Sequence, residues 1–120
     1  MIIGAGDVGL NTVRMLSQEG HDVVLVEKDE KLVEQATEEL DALVIAGNGA
    51  NPKLLNEAGI KSSDLLIAAS SSDEVNIIAC LVAKSQGVSR TVARIHNPDY
   101  YEQGEPFARE MLGIDFMIHT

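Results

Sequence analysis

The amino-acid sequence predicts an α/β domain built on a doubly wound, parallel sheet of six strands. Three observations carry this. Short apolar runs alternate with helical patterns along the whole chain, the runs are nearly continuous in apolar residues, and Gly4, Gly6 and Gly9 follow the first run at once. Continuously apolar strands suit a sheet covered on both faces, and strands separated by helices run parallel. A single domain is expected of 120 residues with 45% apolar content.

Taken in order, the strand candidates are Ile2-Ile3, Val23 to Val26, Ala42 to Ile45, Leu65 to Ala68, Thr91 to Ala93 and Asp115 to Ile118. About five helices lie between them, and the strand order that fits is 3-2-1-4-5-6. In "NPKLLNEAG", Asn51 is placed as N-cap, Pro52 at the first helical position and Gly59 past the end. Ser71 and Glu74 read as a capping box before "VNIIACLVAKSQG". Along that helix Val75, Ile78, Ala79 and Val82 form the expected sheet-facing stripe, yet Ile77, Cys80 and Leu81 leave the opposite surface apolar too. A second copy, chain beyond residue 120, or the segment "YYEQGEPFAREMLG" must cover it. Gly104 and Pro106 split that segment into two helical pieces.

Charge narrows the partners. A net charge of −10 with nine basic residues leaves no dense cationic surface, so nucleic acid is not expected as a partner and anionic membranes are poor ones. No apolar run reaches the roughly 18 residues of a spanning helix, and residues 1–9 lack the basic start of a signal peptide, so no direct membrane insertion is expected. The lone Cys80 excludes an internal disulfide and a thiolate metal cluster, which fits a cytoplasmic protein, and inside an apolar helix it reads as a small hydrophobe. His21, His96 and His119 are isolated, with only His96 near the strand ends where a ligand would sit. No nucleophile, acid–base or metal-ligating set appears, so neither catalytic nor metal residues are assigned and an enzyme is not expected.

The glycines carry the chemistry. Gly4 permits a tight strand-to-helix turn, Gly6 removes a side chain where backbone approaches a pyrophosphate, and Gly9 lets the helix sit close on the sheet. Gly9, Val13 and Leu16 share one helix face, and the helix start offers N–H groups and a partial positive charge to an anion. Eighteen residues after Gly9, Glu27 ends the second strand, where a carboxylate accepts hydrogen bonds from ribose hydroxyls. Asp29 competes for that role or caps the next helix. Together these features predict a nucleotide site, against the alternative of a merely tight βα turn followed by an ordinary strand-end acid. Two unit charges about 4 Å apart at an effective dielectric near 20 interact by roughly 4 kcal/mol, so a 2′-phosphate beside Glu27 is disfavoured, with Lys28 softening the effect. A helix dipole supplies about 2 kcal/mol at most, against about 8 for micromolar binding. Other loops must therefore contribute: Asn48 in "GNG", the serines of Ala69 to Ser72, and Arg94 at the end of strand five. For Asn48 and the serines, turn chemistry is an equal alternative.

"GAGDVG", "GHDVVLVEKDEKLVEQ", "DALVIAGNGANPKLLNEAGIKSSDLLIAASSSDEVNIIACLVAK" and "TVARIHNPDYYE" together resemble the RCK/KTN (TrkA N-terminal) domain family of potassium-channel and transporter regulators. The D-E-x-N at Asp73 to Asn76 and the A-R-I at Ala93 to Ile95 fall in the family's order. The resemblance implies a Rossmann-like domain binding NAD (NADH or NAD+), or in relatives ATP/ADP. It implies assembly into homo-oligomers, dimers or rings, attached to a membrane-embedded potassium transporter or channel subunit at the inner face of the cell membrane. Gating there proceeds without catalysis. By position it implicates Gly4, Ala5, Gly6, Asp7 and Val8 as the phosphate loop, Glu27 on ribose, Ser70 and Ser71 near the cofactor, and Arg94 at its phosphates. Relatives often carry Gln or Arg where Asp7 stands; an acid there disfavours a γ-phosphate and favours NAD over ATP. Against the family pattern the first strand is clipped and the helix after strand six is missing, so residues 1–120 are expected to be a fragment of a longer protein. Two other readings stand beside this one: the cofactor half of a truncated NAD-dependent dehydrogenase, and a structural remnant that pairs subunits without a nucleotide.

Overall fold

The apolar runs pair into one sheet in a computed structural model that describes residues 1–102 and 109–119. The strands are β1 (Ile2–Ile3), β2 (Val24–Glu27), β3 (Leu43–Ala46), β4 (Leu65–Ala68), β5 (Arg90–Ile95) and β6 (Phe116–His119). Their order is β3-β2-β1-β4-β5-β6 and every neighbouring pair is parallel, as the sequence predicts. Strands β2, β3 and β6 start one residue later than their apolar runs. The β2/β3 register runs from Val24↔Leu43 to Glu27↔Ala46, which draws the acid into the ladder.

Among the described residues there are four α-helices, α1 (Asp7–Gln18), α2 (Glu30–Glu39), α3 (Pro52–Glu57) and α4 (Asp73–Ser85). Short 3-10 turns occupy Ile60–Ser62, Pro98–Tyr100 and Arg109–Leu112. The expected break at Gly104 and Pro106 lies outside the described residues. Asn51 caps α3 by accepting from the Lys53 and Leu54 N–H groups, with Pro52 at the first helical position, and Gly59 turns the chain at φ 91°. The capping box moves by one residue. Ser72, not Ser71, caps α4, accepting from Val75 N–H at 3.2 Å, so Glu74 does not occupy the position a box requires.

Successive residues of a strand face opposite sides, so Ile2 and Ile3 enter different cores. Ile2 and Leu25 pack with Leu10 and Val13 of α1 and Ala36 of α2. Ile3, Val26, Leu66, Ala93 and Ile95 pack with Leu55 of α3 and with Ile77, Cys80 and Ala83 of α4. Cys80 is fully buried, and burial pushes its thiol up to about 12, consistent with a packing role. Cover on both faces holds for the central strands only. At the edges Leu43 and Phe116 are each 61% exposed, because β3 and β6 have one neighbouring strand and less helix above them.

The α4 stripe is also corrected. Asp73, Asn76, Ile77, Ala79, Cys80 and Ala83 are buried, whereas Ile78 and Leu81 are exposed and Val75 and Val82 half-buried. Two polar side chains occupy sheet-facing positions that hydropathy assigned to Val75 and Ile78. They do so because they bond the ends of strands, as described below.

The start of β5 is tied to β6 by a polar latch. Lys84 Nζ donates to Asp115 Oδ2 at 2.6 Å and to the Ser89 carbonyl at 2.9 Å, while Thr91 N–H donates to the same carboxylate at 2.9 Å. The Lys84 hydrogen bond first, then the Thr91 N–H, holds the Asp115 carboxyl below its ordinary value. A depressed folded pKa gives stabilisation that is present above the unfolded value of 3.8 and is lost as pH falls through the folded one. Both side chains are about a third exposed, so screening limits the ion pair to about 1 kcal/mol or less. Asp115→Asn should therefore lower the melting temperature by a few degrees at neutral pH. In circular-dichroism melts the gap from wild type should close as pH falls below the ordinary carboxylate range; a gap constant down to pH about 2 would contradict the latch.

Candidate functional site

The site is set by what glycine makes room for. A Cβ on Gly9 would overlap the Gly4 carbonyl oxygen, so α1 can lie against the exit of β1 only because residue 9 has no side chain. Gly4 itself has φ +99°, and a Cβ there would meet Ser70 N and Cα at 2.7 Å. The exit of β1 is thus pressed against the loop after β4. Gly6 differs: a Cβ would meet nothing within 4 Å, and the residue is exposed. As N-cap of α1 it brings no side chain to the first-turn N–H groups, leaving them available to an anion.

Glu27 closes the other side of this loop. Its Oε1 accepts from Ala5 N–H and its Oε2 from Asp29 N–H, each at 2.8 Å. The carboxylate staples the glycine loop to the end of β2, yet each oxygen keeps a second lone pair for a further donor. Asp29 is committed elsewhere, as N-cap of α2 through the Lys31 and Leu32 N–H groups. The competition between the two acids resolves with Glu27 at the loop.

A cleft of about 240 Å³ opens along the C-terminal ends of the strands, where the strand order reverses between β1 and β4. Ligands of doubly wound sheets bind at such a switch point. Of the residues predicted from sequence, Gly4, Gly6, Glu27, Lys28, Asn48, Ser70, Ser71 and Arg94 line it. Ala5 is buried beneath the loop with its N–H given to Glu27, and Gly9 is buried against Gly4. Asp7 and Val8 begin α1 outside the lining, and the Asp7 side chain is exposed. Asn48 Oδ1 accepts from Ala50 N–H at 2.9 Å, so turn chemistry occupies that oxygen in a residue that lines the cleft. Ser70 Oγ is engaged with Asn76 Oδ1 at 2.7 Å. His96 follows β5 but does not line the cleft.

Two residues matter that appeared in the sequence reading only as part of a motif. Asn76 is fully buried and bonds the Ser70 N–H, hydroxyl and carbonyl as well as the Arg94 carbonyl, the last at 2.7 Å. Asp73, 8% exposed, accepts from the N–H groups of His96 at 2.9 Å and Asn97 at 2.8 Å. A signal existed in polar residues at helix-buried spacing; hydropathy alone discards it. Among the described residues no group of three or more His, Cys, Asp or Glu could hold a metal ion, and no helix is long and apolar enough to cross a membrane.

The parallel sheet, its strand order and the cleft at the reversal define a Rossmann-like domain. The chain belongs to the TrkA-N domain family, which matches all of residues 1–120. It is 42% identical over 118 residues to the Trk system potassium uptake protein TrkA homolog of Methanothermobacter thermautotrophicus, covering 98% of this chain and 52% of that protein. A Trk system potassium uptake protein trkA homolog 1 of Methanosarcina mazei is 42% identical over 125 residues, covering 98% of this chain and 30% of the relative. The chain thus spans about half or less of the length of these relatives. In structure it resembles the TrkA-N domain of the inner membrane protein ybaL from Escherichia coli, with a TM-score of 0.82 at 19% identity over 98% of this chain and 84% of that one. It also resembles the GsuK channel bound to NAD, with a TM-score of 0.79 at 19% identity over 98% of this chain and 20% of that one. For GsuK bound to ADP the values are 0.79 and 19%, over 98% and 30%. At such identities the structures establish the shared fold.

The two glycines of the loop make a paired prediction. Gly9→Ala should cost about 2 kcal/mol or more in urea unfolding, because backbone must move to admit the methyl group. Gly6→Ala should cost about 1 kcal/mol or less, the difference between a glycine and an alanine N-cap. Equal losses would contradict the loop geometry.

Proposed function

We propose that the chain is the nucleotide-binding domain of a Trk-type potassium uptake regulator and a fragment of a longer protein. In this reading NAD(H) occupies the cleft, and ligand binding shifts the geometry between copies of the domain so as to bias an associated membrane potassium pore from its cytoplasmic face. The observation that carries the reading is the convergence at one switch point of an uncapped helix start, a glycine with open space before it, and a strand-end carboxylate with spare acceptor capacity. The pyrophosphate lies at Gly6 and the first turn of α1, and the ribose hydroxyls donate to Glu27. Arg94, across the switch point, offers a cation to the phosphates. A 2′-phosphate meets Glu27 and is rejected. Asp7, exposed on the first turn, acts on a γ-phosphate through its charge alone.

ADP or ATP is the alternative ligand, and it is supported by the same fold in GsuK bound to ADP. Regulation rather than catalysis is supported by the TrkA-N family and by relatives that are Trk system potassium uptake proteins. Assembly with a second copy is supported by two apolar exposures: Ile78 and Leu81 on the outer face of α4, and Phe116 and Ile118 on the face of β6 opposite Met117. For a ligand to gate a pore it must bind two assembly states with different affinity.

NADH at 100 times its dissociation constant should stabilise the domain by about 2.7 kcal/mol, a rise of several degrees in melting temperature. Glu27→Ala and Gly6→Ala should each remove most of that rise. Unchanged melting of the wild type in millimolar NADH and in millimolar ATP would contradict the nucleotide reading, and tighter ATP than NADH binding would overturn the choice of ligand. Light scattering should show at least a dimer; a strict monomer at high concentration would contradict the assembly.

A further inference from the structure

The cleft has two halves with different foundations. Glu27, Lys28 and Asn48 come from the ends of β2 and β3, on one side of β1; Ser70, Ser71 and Arg94 come from the ends of β4 and β5, on the other. A mononucleotide with its sugar at Glu27 and its phosphate at Gly6 stops at the reversal between the halves. A dinucleotide has to cross it.

The second half is held from beneath by one helix turn. Asn76 donates through its amide to the carbonyls of Ser70 at 3.1 Å and Arg94 at 2.7 Å, and accepts from the Ser70 N–H at 3.0 Å and the Ser70 hydroxyl. Asp73, one turn earlier on α4, takes the N–H groups of His96 and Asn97 just beyond β5. The β4/β5 ladder ends at Ala68↔Ala93, so beyond it these two side chains set the spacing between the loop after β4 and the end of β5. Neither Asp73 nor Asn76 lines the cleft.

Resting on the nucleotide reading above, we propose that Asn76, assisted by Asp73, is a positioning residue that sets the second half of the cleft and thereby determines discrimination between a dinucleotide and a mononucleotide. Asn76→Asp keeps an acceptor for Ser70 and removes the two amide donors, so the Ser70 loop and the end of β5 at Arg94 lose that tie. Ligands confined to the first half do not depend on it.

The test compares NADH and AMP binding by calorimetry for the wild type, Asn76→Asp and Asp73→Asn, with Lys84→Ala as a control that loosens the opposite end of β5. We expect Asn76→Asp to bind NADH about tenfold more weakly, with AMP binding unchanged within about twofold. Retained AMP binding also reports that the variant is folded. Should Asn76→Asp fail to fold, Asp73→Asn is read in the same way. Lys84→Ala should lower the melting temperature and leave the NADH-to-AMP ratio at the wild-type value. An unchanged ratio in both α4 start variants, or an equal shift in Lys84→Ala, overturns the assignment while leaving nucleotide binding intact. Wild-type protein that binds neither NADH nor AMP overturns the underlying reading instead.

Discussion

The absence of a side chain at Gly9 is the constraint on which the site depends. With a Cβ there, α1 would have to move away from the Gly4 carbonyl, and the helix start would no longer stand over the end of β1. Close contact at this point brings three otherwise separate things together: the turn of β1 pressed on Ser70, the open space ahead of Gly6, and the Ala5 N–H that Glu27 holds. The carboxylate fixes the loop before any ligand arrives. Preorganisation of this kind lowers the ordering cost of binding.

The opposite side of the sheet shows how one helix secures a strand at both ends. Through Asn76 and Asp73, α4 bonds the C-terminal end of β5; through Lys84, it bonds the carboxylate that holds Thr91 near the strand's start. Between those points Cys80 and Ala83 are fully buried against the sheet. Burying polar groups is costly unless they are bonded, and the buried Asp73, Asn76 and Thr91 all are. The result is a strand whose position relative to α4 is specified by directional contacts as well as by apolar packing.

Much of this was legible in the residues themselves. Strand order followed from alternation and crossover rules, and Asn51-Pro52 placed the start of α3 correctly. What escaped did so for physical reasons. Three consecutive serines offer the same hydroxyl, and only the backbone path selects Ser72 as the cap. The face of α4 was misphased because Asp73 and Asn76 are polar and buried, whereas Ile78 and Leu81 are apolar and exposed; hydropathy ranks side chains by transfer, not by the bonds that tertiary structure supplies. Glu27 was found by its spacing, but its hold on Ala5 N–H depends on the fold bringing residues 22 apart within 2.8 Å. Edge exposure at Leu43 and Phe116 likewise belongs to strand position, which an apolar run does not reveal.

The most direct test of the central claim, that backbone donors at the start of α1 receive a nucleotide's phosphates, is an amide NMR titration of the chain with NADH. The amides of Gly6, Asp7 and Val8 should shift together and saturate with a single dissociation constant, those of α3 staying still. Saturable NADH binding that leaves these three amides unmoved would contradict the account.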